Sequence, residues 1–522
     1  MKDHFLAITI GPIYDTLRQA RKTRELWGAS YLFSVLMREI IKALPTQWEL
    51  LAPVMDTGKA QNGAGIYPDR CFIRTPAKPT KGEVDAIIDS AMASVGNLLG
   101  VPGNQVRGYF RVFAARMEAD SSDKESLILH LNRLLDSLEL QPFIPPNNAP
   151  ALTELIDLAI KELQDDGGGN DAFVQFSGQR RLPSLNEVAF QELKDLEAYK
   201  KHIEEPTNES VLKYQRDKKE RKPKTPQERK QEALDEDSRI QAFKNSNDVP
   251  FKFRHKYVCF VKADGDNVGK TIGAIGNHFH LVKEFSKELG NFSQKAVNAI
   301  AQFGGLPIYA GGDDLLFIAP VQNKEKKHVF ELIQDLDLLF PGATLQKLGK
   351  QADPSFDSLP ALSYGMSVSY FKYPMFESLD AMNDLLFVDA KGFDGKNALA
   401  FRVLKHSGQA FGVTFGKGGE IFRILLLLIK LCRSQEASFL TSVMHRLQAL
   451  QPLLEEAVDS KTTAYFFKYH FNEPAHARSD TDRYLSEVRK LAEAVSKEGL
   501  PVAKTLFPLL RFLQFLNQDD HE

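Results

Sequence analysis

Apolar and polar positions along the chain fall into short apolar runs of strand length and longer stretches with helical spacing. Phe5-Leu-Ala-Ile-Thr-Ile10 is one such run, stopped by Gly11-Pro12 before a helical pattern from about Tyr14 to Leu44. A glycine-rich loop, Gly58 to Gly65, leads through Tyr67-Pro68-Asp69-Arg70 into Cys71-Phe72-Ile73, the next predicted strand. From about Glu83 to Glu204 the pattern is mostly helical, interrupted at Pro142 to Pro150 and at Asp165 to Asn170, and it reads as a helical insertion. Between Glu205 and Asn247 large apolar residues thin out and charge accumulates, most densely at Lys218-Lys-Glu-Arg-Lys-Pro-Lys224. Such a stretch buries little surface and reads as a solvated linker, although its basic run could touch RNA or phosphates.

Past the linker, Tyr257 to Val261 reads as a strand, about Asn277 to Phe303 as a helix stopped by Gly304-Gly305, and Leu306 to Ala310 with Leu315 to Ala319 as a hairpin. A helix near Lys324 to Leu339 and a strand near Ser363 to Phe371 follow. The order β-α-β-β-α-β is the ferredoxin-like arrangement, which serves many functions. From about Gly418 to Asn517 the chain is helical again, predicting a C-terminal bundle. The expected fold class is therefore α+β. Residues 1–80 form a first domain, able to draw strands from later in the chain, and 81–204 the helical insertion. Residues 205–248 are the linker, 249–410 the second α/β domain and 411–522 the helical bundle.

At 522 residues the chain exceeds one core, in keeping with that division. Its hydrophobic fraction of 43% and charged fraction of 26% are those of an ordinary globular protein. A net charge of −2 advertises no global affinity for nucleic acid, leaving any such contact to local patches or to other subunits. Cys71, Cys259 and Cys432 lie far apart with no C-x-x-C pair, which argues against structural zinc and for a reducing, cytoplasmic setting. The N-terminus lacks the basic start of an export signal, and Ile421 to Leu431 is too short and too interrupted by charge to cross a membrane.

The chemistry concentrates in acids. Asp264 and Asp266 stand at the exit of one predicted strand, and Asp313 and Asp314 in the hairpin turn between two others. Either motif alone is an ordinary turn. Together, each against an apolar strand, they bring carboxylates close enough to repel unless a cation joins them, and hard oxygen ligands suit Mg²⁺ or Mn²⁺. Asp264, Asp313 and Asp314 are the expected ligands, with Asp266 either behind them or a turn residue. A metal so held would bridge the phosphates of a nucleoside triphosphate and favour nucleotidyl transfer. Gly311 and Gly312 would clear room for phosphates or a base, and Lys391 and Lys396 are the nearest downstream cations for a triphosphate tail.

Gly311-Gly-Asp-Asp314 in this setting resembles the large palm/cyclase subunit of type III CRISPR effector complexes, particularly the Cmr (III-B) branch. Ile10-Gly-Pro-Ile-Tyr-Asp15, Gln19 to Trp27, Ser30-Tyr-Leu-Phe-Ser34, Lys262 to Gly269 and Lys372-Tyr-Pro-Met375 extend the likeness. The resemblance implies two ferredoxin-like, nucleotidyl cyclase-like palm domains, only the second with metal ligands. It also implies assembly with sister Cmr subunits and CRISPR RNA, activation by target RNA, and conversion of ATP into cyclic oligoadenylates. No His-Asp dipeptide occurs, so the HD nuclease of many relatives is not expected, and their zinc-binding cysteine cluster is missing too. Where the Cmr branch commonly has Pro-Asn-Arg, this chain has Pro68-Asp69-Arg70. Some members transfer AMP to S-adenosylmethionine, and Asp69 could pair with the positive charge of that acceptor; alternatively it caps a turn or pairs with Arg70. A template-copying polymerase, a GGDEF-type synthase using GTP and a non-enzymatic scaffold are the rival classes.

Overall fold

The computed structural model describes residues 2–55, 64–120, 125–141, 182–207, 226–433, 437–456, 459–471 and 479–520. The chain forms two compact units, each built from several separate stretches. One comprises Met1–Ser184, Cys259–Ala319 and Phe330–Phe422; the other comprises Leu185–Val258, Pro320–Val329 and Arg423–Glu522. This interleaving differs from a linear series of domains because β-strands of the second palm run on into segments of the helical unit.

The first unit holds two sheets. Strands β1 (Lys2–Gly11), β2 (Glu49–Ala52), β3 (Arg70–Thr75) and β4 (Arg111–Asp120) make the first, in the order β2-β3-β1-β4. With the helices Thr23–Lys42 and Lys81–Leu99 between them, this is β-α-β-β-α-β with the ferredoxin-like strand order. Strand β1 is central, antiparallel to β3 and β4, and pairs Leu6 with Ile73 and with Arg116. The first palm therefore reaches residue 120, where a helical insertion was expected. Strand β4, Arg-Val-Phe-Ala-Ala-Arg-Met-Glu-Ala-Asp, is rich in helix-forming residues and becomes a strand because it completes the edge beside β1.

The second sheet has six strands: β5 (Tyr257–Asp266), β6 (Leu306–Gly311), β7 (Asp314–Pro320), β8 (Ala361–Tyr370), β9 (Ala398–Leu404) and β10 (Ala410–Gly416). Their order is β10-β9-β8-β5-β7-β6, so β5 to β8 repeat the same ferredoxin-like pattern. The strands β9 and β10, which the sequence pattern did not separate, extend it beyond β8, β9 lying parallel to β8. The fold class is thus α+β with two palms, as expected. Between the palms, Phe5, Leu51, Phe72 and Leu131 of the first pack with Ile275, Val282, Phe285 and Leu348 of the second in one buried cluster. Each such side chain contributes roughly 1.5–3 kcal/mol on removal from water.

The second unit is mainly helical. Part of the expected linker, Pro226–Lys244, is an α-helix instead. Its Gln, Glu, Lys and Ala content favours helix, and Ile240 and Phe243 near its end are buried, Phe243 in contact with the rings of Phe190 and Phe251. The basic run 218–224 and the glycine-rich loop up to residue 63 lie outside the described residues. The buried Glu192 carboxylate binds Arg254 through both oxygens and His255 at 2.7 Å, holding this unit at its centre. Those cations hold its pKa down to about 2 against the opposing effect of burial. Among the described residues no single helix is long and apolar enough to cross a membrane.

Candidate active site

Strand alternation points Lys262, Asp264 and Asp266 of β5 to one side of the chain, at the end of a strand whose first five residues are all buried. Asp266 is 1% exposed and fully engaged: one oxygen accepts from the Ser363 hydroxyl at 2.6 Å and the Asn397 N–H at 2.8 Å, the other from Lys391 Nζ at 2.8 Å. It is an anchor for the strand end rather than an outward ligand. Lys391 also donates to the carbonyls of Asp264 at 3.0 Å and Gly265 at 2.8 Å, and pairs with the Asp264 carboxylate. An ammonium has three protons, and these contacts use them. In this structure Lys391 clamps the acidic strand end in place. A π-helical stretch, Leu385–Ala390, leads directly into it, a local widening often found at functional sites. Lys396 is exposed on a turn in which Gly395, Lys396 and Asn397 all have positive φ, and that turn delivers the Asn397 N–H to Asp266.

The opposing acids come from the β6–β7 hairpin, where Gly311 pairs with Asp314 and a bulge lies between Pro307 and Tyr309. Gly312 has φ +71°, which glycine adopts without penalty, and open space surrounds its α-carbon as the phosphate-access reading requires. Gly311 differs from that reading. The position its side chain would take is filled by the phenol of Tyr309, two residues back on the same strand face. Gly265 has a comparable part, since a Cβ there would overlap Asp313 Oδ2 and the Val268 side chain. The Asp-Gly of β5 is thus a docking place for the hairpin carboxylate, and Asp313 and Asp264 meet across it.

This crowding is visible in the electrostatics. Removal from water, then the Asp264 charge, raises the Asp313 carboxyl to about 6. Asp314 is pushed well above its ordinary value by the same desolvation, by Asp313 and Asp264, and by a hydrogen bond shared with the Asp264 side chain. Lys262, which sequence inspection passed over, lies beside them; burial lowers its pKa while Asp314 and Asp264 draw it up. Its ammonium bonds Asn383 at 3.0 Å and stands 4.7 Å from the centre of the Phe387 ring. Lys262 was legible in principle, sitting two residues before Asp264 on the same strand.

The first palm contributes an edge. Gly65 bridges Tyr309 in parallel, and its carbonyl accepts the Ala310 N–H at 2.8 Å, while Ser30 donates to the Ile308 carbonyl at 2.8 Å. The chain continuing from that seam brings Asp69 near the hairpin: Asp69, Asp314 and Asp313 together reinforce the high pKa that burial gives the Tyr309 phenol. Desolvation raises Asp69 itself. Arg70, the suggested local partner, hydrogen-bonds Asn132, Asp136 and Glu139 at 2.7 to 2.9 Å, and its charge opposes the rise that desolvation gives Asp69. Asp69 has no cation within salt-bridge distance among the described residues.

Among the described residues no three or more His, Cys, Asp or Glu side chains stand as a preformed metal cage. The donor chemistry nonetheless fits a hard divalent cation. Asp313 and Asp314 carry mutual repulsion that neither Lys391 nor Lys262 cancels, and the shared Asp264–Asp314 hydrogen bond needs a proton where two carboxylates would otherwise hold a cation between them.

Comparison with known proteins accords with this geometry. Residues 257–400 match the family described as Cas10/Cmr2, second palm domain, and residues 5–58 match CRISPR-associated protein Cmr2, N-terminal. The Cmr subunit Cmr2 of Pyrococcus furiosus is 29% identical over 180 residues, covering 30% of this chain and 19% of that relative. The matched stretch thus spans about a fifth of that relative's length. Among solved structures, a type III-B Cmr-beta complex bound to cognate target RNA has a similar chain (TM-score 0.54, 12% identity, 90% of this chain and 78% of the other). So has a Csm1–Csm4 cassette in complex with one ATP (TM-score 0.51, 11% identity, 98% and 70%). At such identities these two likenesses speak for the fold. Both palms and the glycine-aspartate hairpin docked on β5 thus coincide with the two family matches: residues 5–58 carry a Cmr2 N-terminal domain and residues 257–400 a Cas10/Cmr2 second palm domain.

Proposed function

We propose that this chain is a metal-dependent nucleotidyltransferase, activated by target RNA, that makes a cyclic oligoadenylate messenger from ATP as the large subunit of a Cmr complex with sister subunits and CRISPR RNA. The observation that carries this reading is the convergence of Asp264, Asp313 and Asp314, with the two hairpin acids held above their ordinary pKa. A Mg²⁺ or Mn²⁺ ion held by these three would neutralise charge at the α-phosphate and ease deprotonation of the attacking hydroxyl. The acceptor's ribose hydroxyl forms a bond to the α-phosphorus as the bond to pyrophosphate breaks, and the hydroxyl proton passes to solvent. Asp266 and Lys391 hold the Asp264 end of the trio. Gly312 offers open backbone for phosphate approach, and Lys396 an exposed cation beyond it. The Tyr309 phenol stays protonated at neutral pH and can donate one hydrogen bond. The likeness to proteins solved with ATP and with target RNA supports the choice of substrate and activator.

One observation favours a second acceptor. Asp69 and the hairpin acids all act on Tyr309, and Asp69 makes no salt bridge among the described residues, although the Arg70 charge partly offsets the effect of its burial. S-adenosylmethionine carries an adenosine hydroxyl as nucleophile and a sulfonium and an ammonium that this carboxylate would pair with. The deciding experiment supplies the assembled complex and target RNA with labelled ATP and Mg²⁺ or Mn²⁺, with and without S-adenosylmethionine, and resolves products by mass spectrometry. Cyclic adenylates formed without the second substrate support the first reading. A product that requires it, and that falls at least tenfold in D69N, supports the second. Undiminished ATP turnover in a D313A/D314A double variant refutes both.

A further inference from the structure

The helical unit carries a groove far along the chain from the acidic site. Helix Ser460–His470 places Lys461, Tyr465, Lys468 and Tyr469 at spacings of four, seven and eight residues, hence on one face. Of these, Tyr469 stands with its ring next to that of Tyr465, while Lys461, Tyr465 and Lys468 line a cavity of about 510 Å³ with Asp482, Leu485 and Arg489 of helix Ser479–Lys497. Its floor is apolar, with Phe467 and Phe471 each 7% exposed, whereas Tyr465 and Tyr469 are 50% and 75% exposed. Two tyrosine rings left in water so close together are unlike the other aromatics of this unit, most of which are buried among one another.

Their geometry is specific. The rings are nearly parallel, 23° between planes, with centroids 6.4 Å apart. Stacked bases lie about 3.4 Å apart, so two exposed, near-parallel rings whose centroids stand almost twice that distance apart can take one planar base against or between their faces after side-chain rotation. Lys461, Lys468 and Arg489 line the groove with Tyr465, against Asp482 as the single acid among the lining residues. Arg489 has one ion-pair contact, with Glu493 at 3.5 Å. Aromatic faces for bases flanked by cations for phosphates are the two elements by which proteins hold single-stranded nucleic acid.

We propose that this groove binds single-stranded RNA, one base entering between Tyr465 and Tyr469 and the adjoining phosphates meeting Lys461 and Lys468. The choice of RNA over DNA rests on the proposed function. A protein partner would find a suitable apolar floor, but three cations against one acid along the groove favour a polyanion.

The test uses the full-length chain and a fluorescein-labelled oligouridylate of about 12 nucleotides, a length within the span such grooves accommodate. Y465A/Y469A should weaken binding by roughly tenfold or more, and K461Q/K468Q should lower the salt dependence by about two phosphate contacts. Photocrosslinking with 4-thiouridine should label the peptide containing Tyr465 and Tyr469. Thermal melting of each variant at the wild-type temperature establishes intact folding, since both rings are exposed. Unchanged affinity in Y465A/Y469A, or a crosslink confined to other peptides, overturns the proposal. So does equal binding of the matching DNA strand, or loss of a Cmr subunit from the assembled complex with RNA affinity intact. ATP turnover measured on the same variants keeps this result separate from the nucleotidyltransferase reading, which stands or falls on Asp313 and Asp314.

Discussion

Replacing Asp313 with asparagine should make the metal-free protein more stable. Asp313 sits against Asp264 with its carboxyl raised from 3.8 to about 6, so the folded chain pays to ionise it. At about 1.4 kcal/mol per pKa unit, that cost approaches 3 kcal/mol; partial exposure of the side chain and the imperfect bonding of an amide reduce the expected gain to about 2 kcal/mol. The pH dependence has a definite sign. Below about pH 4 the group is protonated folded and unfolded, and the variant has no advantage. Between about pH 4 and pH 6 the folded state holds the extra proton, so wild-type stability falls as pH rises and the difference between the proteins grows. Above about pH 6 the difference is constant. Thermal melts in EDTA across this range read it directly, with an expected rise of a few degrees in D313N at neutral pH. Mn²⁺ at a hundred times its dissociation constant should then stabilise the wild type by about 2.7 kcal/mol and leave D313N nearly unmoved. A D313N protein that melts at or below wild type in EDTA at pH 7.5, with equal Mn²⁺ response in both, would refute the acidic-site argument.

Two further perturbations probe the surroundings. Lys391→Met removes the clamp on Asp264, Gly265 and Asp266, and should reduce kcat for ATP by about a hundredfold with KM changed much less, because positioning rather than substrate contact is lost. A large KM increase with kcat intact would instead restore the triphosphate role. Gly265→Ala sets a methyl against Asp313 and Val268, and should abolish the metal-induced rise in melting temperature while costing about 1–3 kcal/mol of stability, measurable in the same melts.

The second palm was legible because its strands are apolar and its turns are punctuated by Gly-Gly and Asp-Gly, so that β5 to β8 and the acid positions followed from pattern alone. Strand β4 was not, because alanine, arginine, methionine and glutamate carry no strand signature and take that form only through pairing with β1. Lys391 was found, but its carbonyl and carboxylate contacts were not, since a sequence shows a cation downstream of the acids and not the carbonyls that a π-helical turn brings it against. Tyr309 escaped notice because an aromatic in an apolar strand looks like core; only the bare α-carbon of Gly311 reveals where its phenol lies.

The seam between Gly65 and β6 ties the chain that carries Asp69 to the acidic hairpin through the backbone. The hydrogen bond from the Ala310 N–H to the Gly65 carbonyl sets the register between this chain and β6 four residues ahead of Asp69. Sliding that pairing by one residue would carry Asp69 about 3.3 Å along the strand and turn alternate side chains to the opposite face.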